Sequence, residues 1–152
     1  MKKFAVLGYG TVGSGVVELF YKNRKKIEAK AGSEMELGYI LDLRDFPDSP
    51  YAEKFSKSID TILADAEITV VAECMGGIEP AFTYLMQCLS RGISVATSNK
   101  ELIAQKGAEL LANARRIPAT ASLRRASAAR SRSSGRCTAA LPPMRSPRST
   151  AS

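Results

Sequence analysis

LGYGTVGSG, Leu7 to Gly15, is the stretch that decides how this chain is read. Gly8, Gly10 and Gly13 stand in it at the spacing G-x-G-x-x-G. The run Phe4-Ala5-Val6-Leu7 precedes it and reads as a strand buried on both faces. Val12, Val16, Val17, Leu19 and Phe20 follow at helical spacing. Strand, glycine turn and helix in that order give the motif its chemical meaning. Gly8 allows a tight turn, Gly10 lets backbone approach a diphosphate, and Gly13 lets helix and strand pack closely. The helix start then offers unpaired N–H groups and a partial positive charge to an anion. Such turns also serve purely structural ends, but strand and helix flank this one correctly, which favours nucleotide binding.

A chain of 152 residues with 45% apolar composition fits one domain with a real core. It has no apolar run long enough to span a membrane. Lys2-Lys3 and the apolar residues after them are too short for a signal peptide, so a cytoplasmic protein is expected. Cys74, Cys88 and Cys137 show no C-x-x-C spacing, and histidine is absent. That argues against a zinc site or a Cys-His nucleophile. Cys74 and Cys88 lie in apolar patterns and read as buried, inert thiols. The charge is divided unevenly: residues 1–114 carry 13 Lys and Arg against 15 Asp and Glu, while 115–152 carry nine Arg and no acid.

Along the chain, a first helix is expected from about Thr11 to Lys30, ending near Gly32. The cations in its C-terminal half suit the helix dipole and a solvated face better than a nucleic-acid patch. Glu36–Leu43 reads as a second strand, running into Asp42-Leu43-Arg44-Asp45. An acid there suits a ribose hydroxyl and an Arg suits a 2′-phosphate, so NAD and NADP both stay open. Phe46–Pro50 is a turn-rich loop, and Ile59–Ala66 a short helix. Ile68–Ala72 is a third strand, entering a loop with Met75, Gly76 and Gly77 where backbone can lie against a ligand. Glu79–Arg91 is a helix with Phe82, Leu85, Met86 and Leu89 on one face and Gly92 at its end. Ile93–Ala96 is a fourth strand, and Ser98 or Asn99 caps a last helix. Lys100 in that helix's first turn opposes the dipole, a conflict that burial or an anionic ligand would resolve. Strand and helix alternate, which predicts an α/β fold, a Rossmann-type parallel sheet with flanking helices. The candidate residues fall at C-terminal strand ends, where such sheets bind ligands.

Together GYGTVGSGVV (Gly8–Val17), VVAECMGGIEPAF (Val70–Phe82) and VATSNKELIAQKGAELL (Val95–Leu111) resemble homoserine dehydrogenase. The resemblance covers residues 1 to about 116. It implies a cofactor domain, NAD or NADP as cofactor, and interconversion of homoserine and aspartate semialdehyde on the route to threonine and methionine. It also implies that Gly8, Tyr9, Gly10, Thr11, Val12 and Gly13 hold the diphosphate. Arg44 meets a 2′-phosphate, Met75 and Gly76 border the cofactor, and Lys100 lines the nicotinamide end. The family's catalytic lysine, substrate carboxylates and dimer contact lie beyond this stretch. No catalytic residue is therefore assigned, and the substrate site and dimer interface are expected to be incomplete.

From Ile117 to Ser152 the chain is a low-complexity run of Arg, Ala, Ser and Pro, expected to be a disordered basic tail. Read one base earlier, GC-rich codons for residues 123–138 can spell FEASVGGAIPIIRPLH, similar to the family's segment at this point. A frameshift near residue 117 is the expectation. Two other readings are a non-catalytic regulatory nucleotide-binding module and, lower, a nucleic-acid binder through the arginines, which lack interleaved aromatics. No nucleic-acid or membrane partner is expected. Sequencing the coding DNA should reveal that string in the alternative frame, and a gene without it refutes the frameshift.

Overall fold

The computed structural model describes residues 1–116 and the backbone of Leu123–Arg125. Strand β1 (Lys2–Leu7) leads through the glycine turn into helix α1 (Thr11–Ala31), followed by β2 (Met35–Leu41). A 3₁₀ turn at Ala52–Lys54 precedes the short β3 (Phe55–Ser56). Then come α2 (Ile59–Ala64), β4 (Ile68–Glu73), α3 (Ala81–Ser90), β5 (Ser94–Thr97), α4 (Lys100–Arg116) and β6 (Leu123–Arg125). The sheet order is β3-β2-β1-β4-β5-β6, and every pairing is parallel. The chain builds outward from β1 on one side, then returns to build on the other. That reversal leaves a crevice at the C-terminal ends of β1 and β4.

β1 is buried on both faces, as expected: Phe4, Ala5, Val6 and Leu7 are at most 6% exposed. Phe4 and Val6 join Val17, Phe20, Leu37 and Ile40 beneath α1. Ala5 and Leu7 join the larger cluster formed with α2, α3 and α4, including Ile62, Leu85, Leu89, Leu102 and Leu110. The period-2 alternation of a strand thus feeds two cores, and helices cover the sheet on both sides.

Several boundaries move for physical reasons. α1 buries Gly13, Val17 and Phe20, one helical stripe, while Val12 and Leu19 of the expected apolar pattern are 51% and 62% exposed. Gly32 adopts the left-handed conformation just past α1, as its position predicted. β2 stops at Leu41, one residue before Asp42, whose side chain accepts the Tyr9 N–H of the glycine turn. α3 starts at Ala81 with Pro80 as its N-cap residue, two positions later than expected. Asn99 and not Ser98 caps α4: its Oδ1 accepts the Leu102 N–H at 3.1 Å. β3 went unforeseen, being only two residues long.

Within the stretch after Ile117, the described residues are Leu123–Arg125. Their backbone pairs with Val95, Ala96 and Thr97 as a sixth parallel strand. The disorder expected over the rest of that stretch, and Cys137, lie outside the described residues. No helix among the described residues is long and apolar enough to cross a membrane.

Gly13 sets the closest contact between α1 and β1. A Cβ at this position would lie 1.8 Å from the Gly8 carbonyl oxygen, whereas one on Gly10 would meet nothing within 4 Å. Gly13→Ala should therefore cost about 3 kcal/mol of unfolding free energy and Gly10→Ala almost none, measured by urea denaturation.

Candidate functional site

The glycine turn is held by both neighbouring strands. Gly8 takes φ of +91°, a conformation open chiefly to glycine, and its N–H donates to the Leu41 carbonyl at 2.7 Å. Cys74 N–H donates to the Leu7 carbonyl at 2.8 Å. A cleft of about 370 Å³ opens above these tips, lined by Gly8, Gly10, Asp42, Arg44, Lys57, Cys74, Met75 and Tyr84 among others.

Gly10 is the N-cap residue of α1 and has no side chain to bond the first helical N–H groups. Thr11 and Val12, the first residues of the helix, are exposed. The opening turn of α1 therefore presents unsatisfied donors and the positive end of its dipole to open space. The two glycines divide the work: Gly13 is the packing glycine, and Gly10 the one that leaves room.

Asp42 ties the second strand's end to this turn. Its Oδ2 accepts the Tyr9 N–H at 2.8 Å and Arg44 Nη2 at 2.9 Å, while Oδ1 accepts Arg44 N–H at 2.9 Å and Arg44 Nε at 3.0 Å. The Asp42 side chain is 8% exposed and that of Arg44 64%. The Arg44 side chain beside it, with the Arg44 and Tyr9 amides, holds the Asp42 carboxyl down at about 2, against the opposing effect of burial. Arg44 Nη2 also reaches the Tyr9 carbonyl at 3.3 Å, and its guanidinium lies over the Phe46 ring. The Tyr9 ring packs edge-on against Phe46 and Phe55, so its side chain braces the loop. Lys57 brings a second cation to the same cleft and pairs with Asp45 at 2.7 Å.

On the other flank, Glu73 ends β4 and is 1% exposed. Its Oε1 accepts the Met75 N–H at 2.8 Å, and its Oε2 accepts the Thr97 hydroxyl. Gly76 follows with φ of +93° and open space where a Cβ would stand. Cys74 is only half-buried, not buried as its apolar pattern suggested, because it sits at the strand end against the cleft; burial still pushes its thiol up to about 11. Cys88 is fully buried and is pushed to about 12 for the same reason.

Of the sequence-derived candidates, Gly8, Gly10, Arg44 and Met75 line the cleft. Tyr9, Thr11 and Val12 border it through the turn and the helix start, and Gly76 lies in the adjoining loop. Gly13 lies beneath, buried. Lys100 is the first residue of α4 and exposed, one strand end beyond the residues that line this cleft. Glu101 beside it supplies the acid that suits the helix start. Sequence reading missed Lys57 and Tyr84, which come from distant segments with no motif of their own. It also missed Glu73 and Thr97, whose only signal was a polar residue at the C-terminal end of an apolar strand, β4 and β5 in turn.

An open cradle at a helix start, beside one exposed guanidinium and one ammonium, is a donor set suited to a phosphate-bearing ligand. Among the described residues no group of three or more Cys, Asp or Glu is placed to hold a metal. Because Asp42 titrates near 2 when folded and near 3.8 when free, its contribution is complete above about pH 4 and drains away as the pH falls toward 2. Asp42→Asn should lose about 1–2 kcal/mol at neutral pH, discounted for the exposed partner, and should flatten acid unfolding in that window. Urea melts at pH 7 and pH 3 check this.

The family model of the homoserine dehydrogenase NAD-binding domain matches residues 8–122 of this chain. A curated homoserine dehydrogenase from Lactococcus lactis is 39% identical over 114 residues, covering 71% of this chain and 26% of that protein. One from Bacillus subtilis is 33% identical over 120 residues, covering 74% and 27%. The crystal structure of Staphylococcus aureus homoserine dehydrogenase superposes with a TM-score of 0.71 at 30% identity, over 82% of this chain and 32% of that one. The chain thus spans about a quarter of the length of the curated relatives it matches. With its parallel sheet, glycine turn and open crevice, the chain belongs to the homoserine dehydrogenase family through its NAD-binding domain.

Proposed function

We propose that this chain binds NADP in preference to NAD, as the cofactor-holding part of a homoserine dehydrogenase. The observation that carries this is the state of Asp42. Each of its two oxygens already accepts two hydrogen bonds, so a ribose hydroxyl would have to displace Arg44. Arg44 is held from one side only. Among the described residues its Nη1 makes no hydrogen bond, and its side chain remains 64% exposed beside Lys57. A 2′-phosphate satisfies that fork and a hydroxyl does not.

In this reading Gly8, Gly10 and the N–H groups of Thr11, Val12 and Gly13 receive the diphosphate, with Tyr9 bracing the turn. Met75 and Gly76 border the far half of the ligand, and Lys100 stands at the next strand end. When bound, the nicotinamide supplies hydride transfer. The interconversion of homoserine and aspartate semialdehyde, the dimer contact and a cytoplasmic location belong to the whole protein in this proposal. The part of the relatives that this chain does not span would provide the groups that bind substrate and move its proton. On this basis the chain alone should not oxidise homoserine, and the arginine-rich run from Ile117 has no part in binding.

Arg44→Ala should weaken NADPH about 10–100-fold while leaving NADH nearly unchanged, read by calorimetric titration. Equal loss for both dinucleotides overturns the preference. Gly10→Ala should abolish binding of both without lowering the melting temperature, because its methyl enters the cradle and touches no protein atom.

A further inference from the structure

We propose that Glu73 is a positioning residue whose buried carboxylate sets the geometry of the cleft's far end, the end that would face the nicotinamide; this rests on the cofactor reading above. Glu73 is a carboxylate with 1% exposure, and none of the ion pairs among the described residues involves it. Removing a carboxylate from water costs several kcal/mol, and an apolar side chain of the same volume would serve packing better. What Glu73 does instead is join two loops. It accepts the Met75 N–H, which fixes the loop after β4, and the Thr97 hydroxyl, which fixes the end of β5.

The connection continues through the next strand. The Thr97 oxygen accepts the Asn99 N–H at 3.0 Å. Asn99 Nδ2 donates to the Gly77 carbonyl, closing the ring back onto the β4 loop. Asn99 Oδ1 caps α4, the helix whose first residue is Lys100. One buried acid therefore orients the Met75–Gly77 loop and the start of α4 together. All of these atoms lie at strand ends, on the side of β1 away from Asp42 and Arg44. A dinucleotide lying across the reversal point has its adenosine on the β2 side and its other half on the β4 and β5 side. Disturbing the Glu73 ring should hurt the second half only.

The test uses the full 152-residue chain and two ligands: NADPH, and adenosine 2′,5′-bisphosphate, which carries the adenosine side alone. Thr97→Val keeps the shape of the side chain, and leaves Glu73 Oε2 and the Asn99 N–H without their partner. It should weaken NADPH about tenfold in calorimetric titration and leave the bisphosphate unchanged. Thr97→Ser, which restores the hydroxyl, should restore NADPH affinity. Should Thr97→Val fail to fold, Asn99→Ala at a half-buried position carries the same comparison. Equal weakening of both ligands, or no change in either, overturns the proposal. Wild-type chain that binds neither ligand fails differently: it removes the cofactor reading itself, and the role of Glu73 with it.

Discussion

The contact on which the rest of this molecule depends is the one between Gly13 and the Gly8 carbonyl. No side chain fits there, since a Cβ would lie 1.8 Å from that oxygen. The absence of one lets α1 begin hard against the tip of β1. That single approach buries Val17 and Phe20 on Phe4 and Val6, and it aims the free N–H groups of the helix start across the strand ends. Packing and binding geometry are thus consequences of the same missing methyl group.

Around that contact the sheet treats its two flanks alike. β2 leads into an acid, Asp42, that folds back to accept the Tyr9 N–H, and β4 ends in Glu73, which accepts the Met75 N–H. Each carboxylate satisfies a loop amide that would otherwise be unpaired at the edge of the core. They differ in what they do next. Asp42 takes a cation and places an exposed guanidinium at the cleft wall. Glu73 takes a hydroxyl and reaches the following strand. One flank is built for charge, the other for shape.

Much of this was legible beforehand, because the signals were local. The run Phe4–Leu7, the glycine spacing, Gly32 after α1 and Gly92 after α3 each act through the conformation of their own segment. What escaped reading was non-local. Lys57 and Tyr84 reach the cleft only because β3 and α3 pack beside it. Val12 and Leu19 have the right period yet face outward, since period alone cannot say which stripe meets the sheet. Leu123–Arg125 sits in a stretch with no apolar alternation, and its pairing is a matter of backbone hydrogen bonds to β5, which composition does not reveal.

By itself the sequence determined the class of fold, the strand-turn-helix unit and the family, because glycine spacing and hydrophobic periodicity are properties of neighbouring residues. Only the tertiary structure decided that Asp42 is already fully engaged by Arg44 and Tyr9, that Lys100 is exposed, and that Glu73 is buried against Thr97. Those facts turn on which segments the fold brings together and which side chains it leaves in solvent, and spacing along the chain carries no record of that.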